Sequence, residues 1–258
     1  MAKPVPSFTS ERWAISIVPV FGHYNRVDEQ KMKSFFQDRG LWLAAVVLIM
    51  VAISLAQMGV SYTFAFGDLR RFLPIGASLL ATILAVLRFG LVSILVVLWT
   101  LKRKRALFRF IIIVNFIFTL ALLVQTSAII DVLFRPISEA FNTLMLDVIL
   151  MWISNILIFS VWYWIIDPPG VEEHPRSDEP WHFLFPQRGG GLPHYEEWEP
   201  RYTDYLFVAF TTSCTFSPSD ALPLTRRAKM LMLMQAAISI ISLTVIVGNV
   251  INNIAGSK

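Results

Sequence analysis

Five long apolar runs dominate this chain and leave it few folds to adopt: Leu41 to about Gly59, Phe72 to Thr100, Phe110 to Phe134, about Leu144 to Ile166, and about Ala228 to Ile254. A helix needs about 20 mostly apolar residues to cross roughly 30 Å of hydrocarbon, because each residue advances it by about 1.5 Å. Every run meets or approaches that length. Inside hydrocarbon each backbone amide must be bonded within its own segment, which selects helices over open sheet edges. The expected fold is therefore an all-α, polytopic membrane helix bundle of about five transmembrane helices. A composition 55% hydrophobic and 16% charged, with a mean hydropathy of +0.61, agrees and lies outside the range of soluble domains.

About forty mixed residues with Arg12, Arg26, Lys31, Lys33 and Arg39 precede the first run, so no cleavable leader is expected and the runs stay in the mature chain. Within them, RWAISIVPVF and QKMKSFFQDRG mix basic and aromatic residues, which suits a segment lying on the membrane surface as well as it suits a solvated tail. The chain then divides into residues 1–40, cytoplasmic or interfacial; 41–166, four transmembrane helices; 167–202, a polar loop; and 203–258, a short pore-type helix, a turn and the last span. The prolines and glycines of the polar loop exclude long regular elements.

Basic residues set the orientation. Lys102, Arg103, Lys104, Arg105 and Arg109 crowd the connection between the second and third spans and place it in the cytoplasm by the positive-inside rule. Counting five spans puts the polar loop on the same side and the carboxyl end opposite.

Before the last span comes TDYLFVAFTT, Thr203 to Thr212, too short to cross the membrane at about 15 Å as a helix. It is followed by SCTFSPSD, Ser213 to Asp220, rich in hydroxyls and broken by Pro218, so the helix is expected to stop before this piece. A short helix, a polar return and a long helix form the order of a pore loop, and such a return needs protein or water around it.

The run AFTTSCTFSPSDALPLTRRAKMLMLM resembles the pore region of the potassium-channel superfamily, which reads a short aromatic helix, TTVGYGD, a proline-threonine pair, a basic residue and an apolar inner helix. Thr211 and Thr212 match the paired threonines, Asp220 the closing aspartate, Pro223 and Thr225 the proline-threonine pair, and Arg226 or Arg227 the basic residue. No GYG is present, and the stretch between Thr212 and Pro223 is a few residues longer. In those channels the loop dips from outside, whereas basic-residue counting places it inside here. The chain is also similar to an uncharacterised family of bacterial integral membrane proteins, a domain of unknown function whose carboxyl end reads approximately DYLYFSFTIGMTFQVSD before a basic turn and an apolar helix. Asp204, Tyr205, Phe210, Thr211, Thr215, Phe216, Ser219 and Asp220 keep that pattern, while Ser213 replaces its glycine and Ser217 and Pro218 its glutamine and valine. With the basic loop included, the similarity covers roughly the last two thirds of the chain.

The last span carries Gln235, Ser239, Ser242, Asn249 and Asn253, with Ile246 at the one apolar step. Steps of four and three make one seam of a helix, which either lines a path or packs against a partner. Arg88, Asn115, Gln125, Asp131 and Asp147 are polar groups within or near the spans, where such groups are costly. Arg88 stands out, with a structural ion pair and a gating or substrate role as its two readings. Asp131 and Asp147 are expected to reach interfacial water, and Trp162, Tyr163 and Trp164 to form an interfacial aromatic belt. Glu172, Glu173, Glu196, Glu197 and Glu199 belong to a solvated loop.

Chemistry that the residues exclude is also informative. Cys214 is the only cysteine, and His23, His174, His182 and His194 lack the spacing of a metal cluster, so neither a disulfide nor a metal site is expected. A phosphate cradle, a nucleophile elbow and a zinc-protease helix are all missing, which points away from an enzyme and from any cofactor. A net charge of +4 is too small for a nucleic-acid partner.

The expected function is a channel-like protein of the inner membrane, a homo-oligomer, with four copies favoured, around a path for monovalent cations. Thr211, Thr212, Ser213, Cys214, Thr215, Phe216, Ser217 and Asp220 would be filter-like, and Gln235, Ser239, Ser242, Ile246, Asn249 and Asn253 would line the path. The alternative is a non-conducting accessory or structural membrane protein whose polar last helix packs against a partner, with Ser217, Ser219 and Asp220 capping it.

Overall fold

The structure is a computed structural model describing residues 41–60, 77–134, 141–167, 181–189, 194–195, 198–217 and 220–256. The amino-terminal segment and most of the acidic loop residues lie outside these ranges, as do the side chains of Asp131, Asn249 and Asn253. Six helices make up nearly all of it: α1 (Leu41–Gly59), α2 (Ala77–Thr100), α3 (Lys104–Phe134), α4 (Phe141–Ile166), α5 (Tyr202–Thr215) and α6 (Arg226–Gly256). Two-residue strands β1 (Phe183–Leu184) and β2 (Leu222–Pro223) pair antiparallel, Phe183 with Pro223 and Leu184 with Leu222.

Four helices are long and apolar enough to cross a membrane, over Thr82–Thr100, Lys104–Ile130, Thr143–Ile166 and Arg226–Gly248. The apolar part of α1, Leu43–Gly59, falls short of that length. The bundle is thus a helical membrane protein with four long candidate spans among the described residues, where the apolar runs suggest about five.

Local chemistry explains the helix ends. Helix α2 stops without a glycine: Lys102 takes a left-handed conformation at φ 57°, Arg103 N–H bonds to Leu98 O, and Lys102 N–H to Trp99 O. These two bonds close the last orphan carbonyls of α2 and turn the chain directly into α3. Helix α5 ends in a related way at Phe216, left-handed at φ 56°, whose N–H bonds to Thr212 O. At its start Asp204 accepts the Arg201 N–H at 2.6 Å, filling one unbonded donor of the first turn.

Helix α4 is the centre, packing against α1, α3, α5 and α6. Its contacts are specific as well as apolar. Asn115 of α3 donates to Ile158 O at 3.3 Å, and the Trp162 indole N–H to Thr119 Oγ1 at 2.8 Å. Trp162 is half-buried, and Tyr163 and Trp164 are buried, so these rings, foreseen as an interfacial belt, pack against the protein. Asp147 is likewise buried and does not reach water from its span end.

Candidate functional site

Two polar clusters hold α5 between α4 and α6. The first lies at the end of α4, where the buried Asp167 carboxylate accepts four bonds. Oδ1 takes the backbone N–H of His182 at 2.8 Å and of Phe183 at 3.2 Å. Oδ2 takes Arg188 Nη1 at 2.8 Å and the Tyr205 hydroxyl at 2.6 Å. Arg188 also donates to Phe183 O and stacks over Trp181. A buried ion pair contributes little by itself, because desolvation offsets its attraction, but here every oxygen is occupied and three segments meet on one carboxylate. Burial raises the Tyr205 phenol well above its usual range, and the Asp167 charge raises it further, so it remains a donor.

The clamp continues into the strand pair. Leu224 N–H bonds to His182 O, and His182 Nδ1 meets Thr225 Oγ1 at 2.5 Å. Thr225, with its hydroxyl 3.4 Å from Ala228 N, caps α6. The capping role expected for Ser217, Ser219 and Asp220 is taken by Thr225, which directly precedes the first helical residue, while Ser219 lies outside the described residues.

The second cluster centres on Gln235. Its Nε2 donates to Ala209 O at 2.7 Å and Ser213 Oγ at 2.8 Å, and its Oε1 accepts from the Tyr163 hydroxyl. Asn155 Nδ2 reaches Gln235 O at 3.1 Å and Ser239 Oγ at 2.8 Å. Ser242 returns its proton to Ile238 O. Gln235, Ser239 and Ser242 are all fully buried. Of the seam foreseen as path-lining, Gln235, Ser239 and Ser242 are thus enclosed within the chain, with Gln235 and Ser239 bonded to α4 or α5. Ile246 is half-buried, and the outward stripe of α6 runs through Leu233, Ile240 and Val247.

The filter-like residues divide into two groups. Ser213 and Thr212 face inward, Thr212 bonding Val208 O at 2.7 Å. Thr211 is half-buried and bonds Phe207 O and Val208 O. Cys214, Thr215, Phe216, Ser217 and Asp220 are exposed. Ser213, Cys214 and Thr215 remain helical, contrary to the expectation that α5 stops before them, because hydroxyls bonded to the preceding turn do not interrupt a helix. Thr215 Oγ1 bonds both Thr211 O and Ser217 O, which ties the helix end to the turn.

Arg88 is half-buried on α2, and its Nη1 donates to Gln57 O, in the last turn of α1, at 3.2 Å. A cation there caps a free carbonyl at the negative end of a helix. Gln57 itself donates to Phe118 O at 3.0 Å. Gln125 is buried, and neither end of its amide meets a partner among the described residues.

Asp167, Arg188, Tyr163 and Asn155 were not anticipated as site residues. Asp167 and Arg188 stand in a loop whose polarity hides a single buried charge, and Tyr163 is masked between two tryptophans. No protein-family model, curated protein or solved structure matches the chain.

Proposed function

We propose that the chain is a channel-like membrane protein, a homo-oligomer of four copies in the inner membrane, in which α1 completes five spans and α5 with its return limb forms a re-entrant element. The supporting observation is the bond from Gln235 to Ser213. Gln235 stands nine residues beyond Arg226, about 14 Å along α6, and Ser213 is held beside it at the end of α5. The chain then returns to β2, beside the first residue of α6. In this reading the turn after Ser213 enters the membrane with the exposed hydroxyls of Thr215 and Ser217, and the exposed Asp220 stands on the way back to β2. Lipid solvates none of these groups, and water or neighbouring copies do.

In this reading the exposed residues Cys214, Thr215, Phe216, Ser217 and Asp220 line a path for monovalent cations. The free carbonyls and negative end of α5 favour positive charge there. The Gln235 seam positions α5 and does not line the path. A second reading draws on the same sealed seam: a non-conducting accessory protein in which α5 is a structural wedge.

Cys214 separates the two. Protein reconstituted in liposomes under a potassium gradient is treated with a charged, thiol-directed methanethiosulfonate reagent. Flux that falls several-fold on treatment, and resists it in Cys214→Ser, supports the path. Liposomes that pass no cation at all sink the channel reading and leave the structural one.

A further inference from the structure

The elbow between α2 and α3 combines features used by neither reading above. Arg103, Arg105 and Arg109 are exposed there, and among the described residues no carboxylate pairs with them. The turn is fixed by backbone bonds around left-handed Lys102, so the three guanidinium groups stand on a defined support. Below them α3 presents a continuous outward stripe. Arg105 and Arg109 are one turn apart, and Ile113, Phe116 and Leu120 follow at steps of four, three and four, all exposed. From Arg109 to Leu120 is eleven residues, about 16 Å, close to the hydrocarbon depth of one leaflet. Beside it α2 has only 6% of its span buried inside the chain.

A cationic head over an apolar strip one leaflet long has the dimensions and polarity of a phospholipid. The positive-inside rule accounts for basic residues on this side of the membrane. It does not account for three guanidinium groups that meet no carboxylate among the described residues and stand at the end of an exposed apolar stripe.

We propose that the α2–α3 elbow is a binding site for an anionic phospholipid, with its phosphate held by Arg103, Arg105 and Arg109 and its acyl chains laid along the α3 stripe from Ile113 to Leu120. Guanidinium groups suit this role because they give phosphate paired N–H donors and never lose their charge. A zwitterionic lipid carries its own cation and gains much less from three positive side chains. The site is independent of whether the protein conducts.

The test uses the full chain in detergent micelles, titrated with fluorescent phosphatidylglycerol or fluorescent phosphatidylcholine. Wild-type protein is expected to bind phosphatidylglycerol at least about tenfold more tightly. The triple variant Arg103→Gln, Arg105→Gln, Arg109→Gln loses on the order of a hundredfold in that affinity and leaves phosphatidylcholine unchanged. The charge-keeping triple Arg→Lys variant retains most of the preference and serves where the neutral variant fails to fold. The variant Arg226→Gln, Arg227→Gln, at the exposed start of α6, keeps wild-type affinity. Equal binding of the two lipids by wild type, or an equal loss in the α6 variant, overturns the proposal. Displacement of the labelled lipid by inorganic phosphate alone also overturns it, since the site would then bind a free anion and not a lipid.

Discussion

Helices α4 and α2 look alike as sequences, each an apolar run of spanning length, yet 61% of the α4 span is buried inside the chain and 6% of the α2 span. The difference follows from the polar residues they carry. Helix α4 holds Asn155, Ser160 and Tyr163, which bond to Gln235 and Ser239, to Tyr202, and again to Gln235. Helix α2 offers Arg88, which bonds a carbonyl of α1. Apolar contact between helices is worth little more than apolar contact with lipid tails, so hydrogen bonds and close shape decide which helices are enclosed. The keyed side of the bundle is therefore where one native arrangement is specified, and α2 keeps most of its span outside the core of the chain.

The largest effect that tests this contrast is expected at the Asp167 clamp. Asp167→Ala strands the Arg188 charge, the Tyr205 hydroxyl and two backbone amides, and should destabilise the fold by about 3–5 kcal/mol. Thermal unfolding in detergent reads it as a much lower Tm. A shift no larger than that of a surface substitution would mean the clamp does not hold α5.

Gln235→Leu comes next. It leaves the Tyr163 hydroxyl and Ser213 without their partner while keeping the seam filled, and about 2 kcal/mol should be lost. If limited proteolysis finds α5 no more accessible than in wild type, the polar seam is not what secures it.

The Tyr205 phenol gives a pH dependence. Its folded-state pKa lies above that of the unfolded chain, near 10. Its contribution is therefore complete below about pH 10 and is lost as pH rises beyond that value. Tyr205→Phe should flatten the fall in Tm above about pH 10. An unchanged slope would place the titrating group elsewhere.

The smallest effects contrast two glycines. A Cβ on Gly59 would stand 2.8 Å from Leu150 Cδ1, the flexible tip of a side chain on the keyed helix, whereas a Cβ on Gly90 of α2 meets nothing within 4 Å. Gly59→Ala should lower Tm slightly, and Gly90→Ala should raise it, stabilising the fold by about 0.5–1 kcal/mol from helix propensity alone. A reversed order would show that α2 is enclosed and Gly59 is free.

Much of this was legible in the residues. The apolar runs mark the helices to within a few positions, since hydropathy and length alone decide what lies in hydrocarbon. The spacing of Gln235, Ser239 and Ser242 marks one face of α6 correctly. Which way that face turns was not legible, because a pore and a packed partner ask for the same residue types. Ser213 to Thr215 look like a break after the helix, yet α5 continues through them, since a hydroxyl bonded to the preceding turn does not interrupt it.

What the sequence by itself determined is the class: helices long and apolar enough to cross a membrane, a basic turn between two of them and a short aromatic segment before the last. These follow from composition and period, which act residue by residue. Only the tertiary structure decided that the polar seam is an internal seal, that Asp167 gathers α5, β1 and Arg188, and that α2 stays uncovered. Those outcomes depend on pairing groups far apart in the chain, such as Asn155 with Ser239 and Tyr205 with Asp167. In a solvent without hydrogen bonds to offer, such pairs settle which helix faces which.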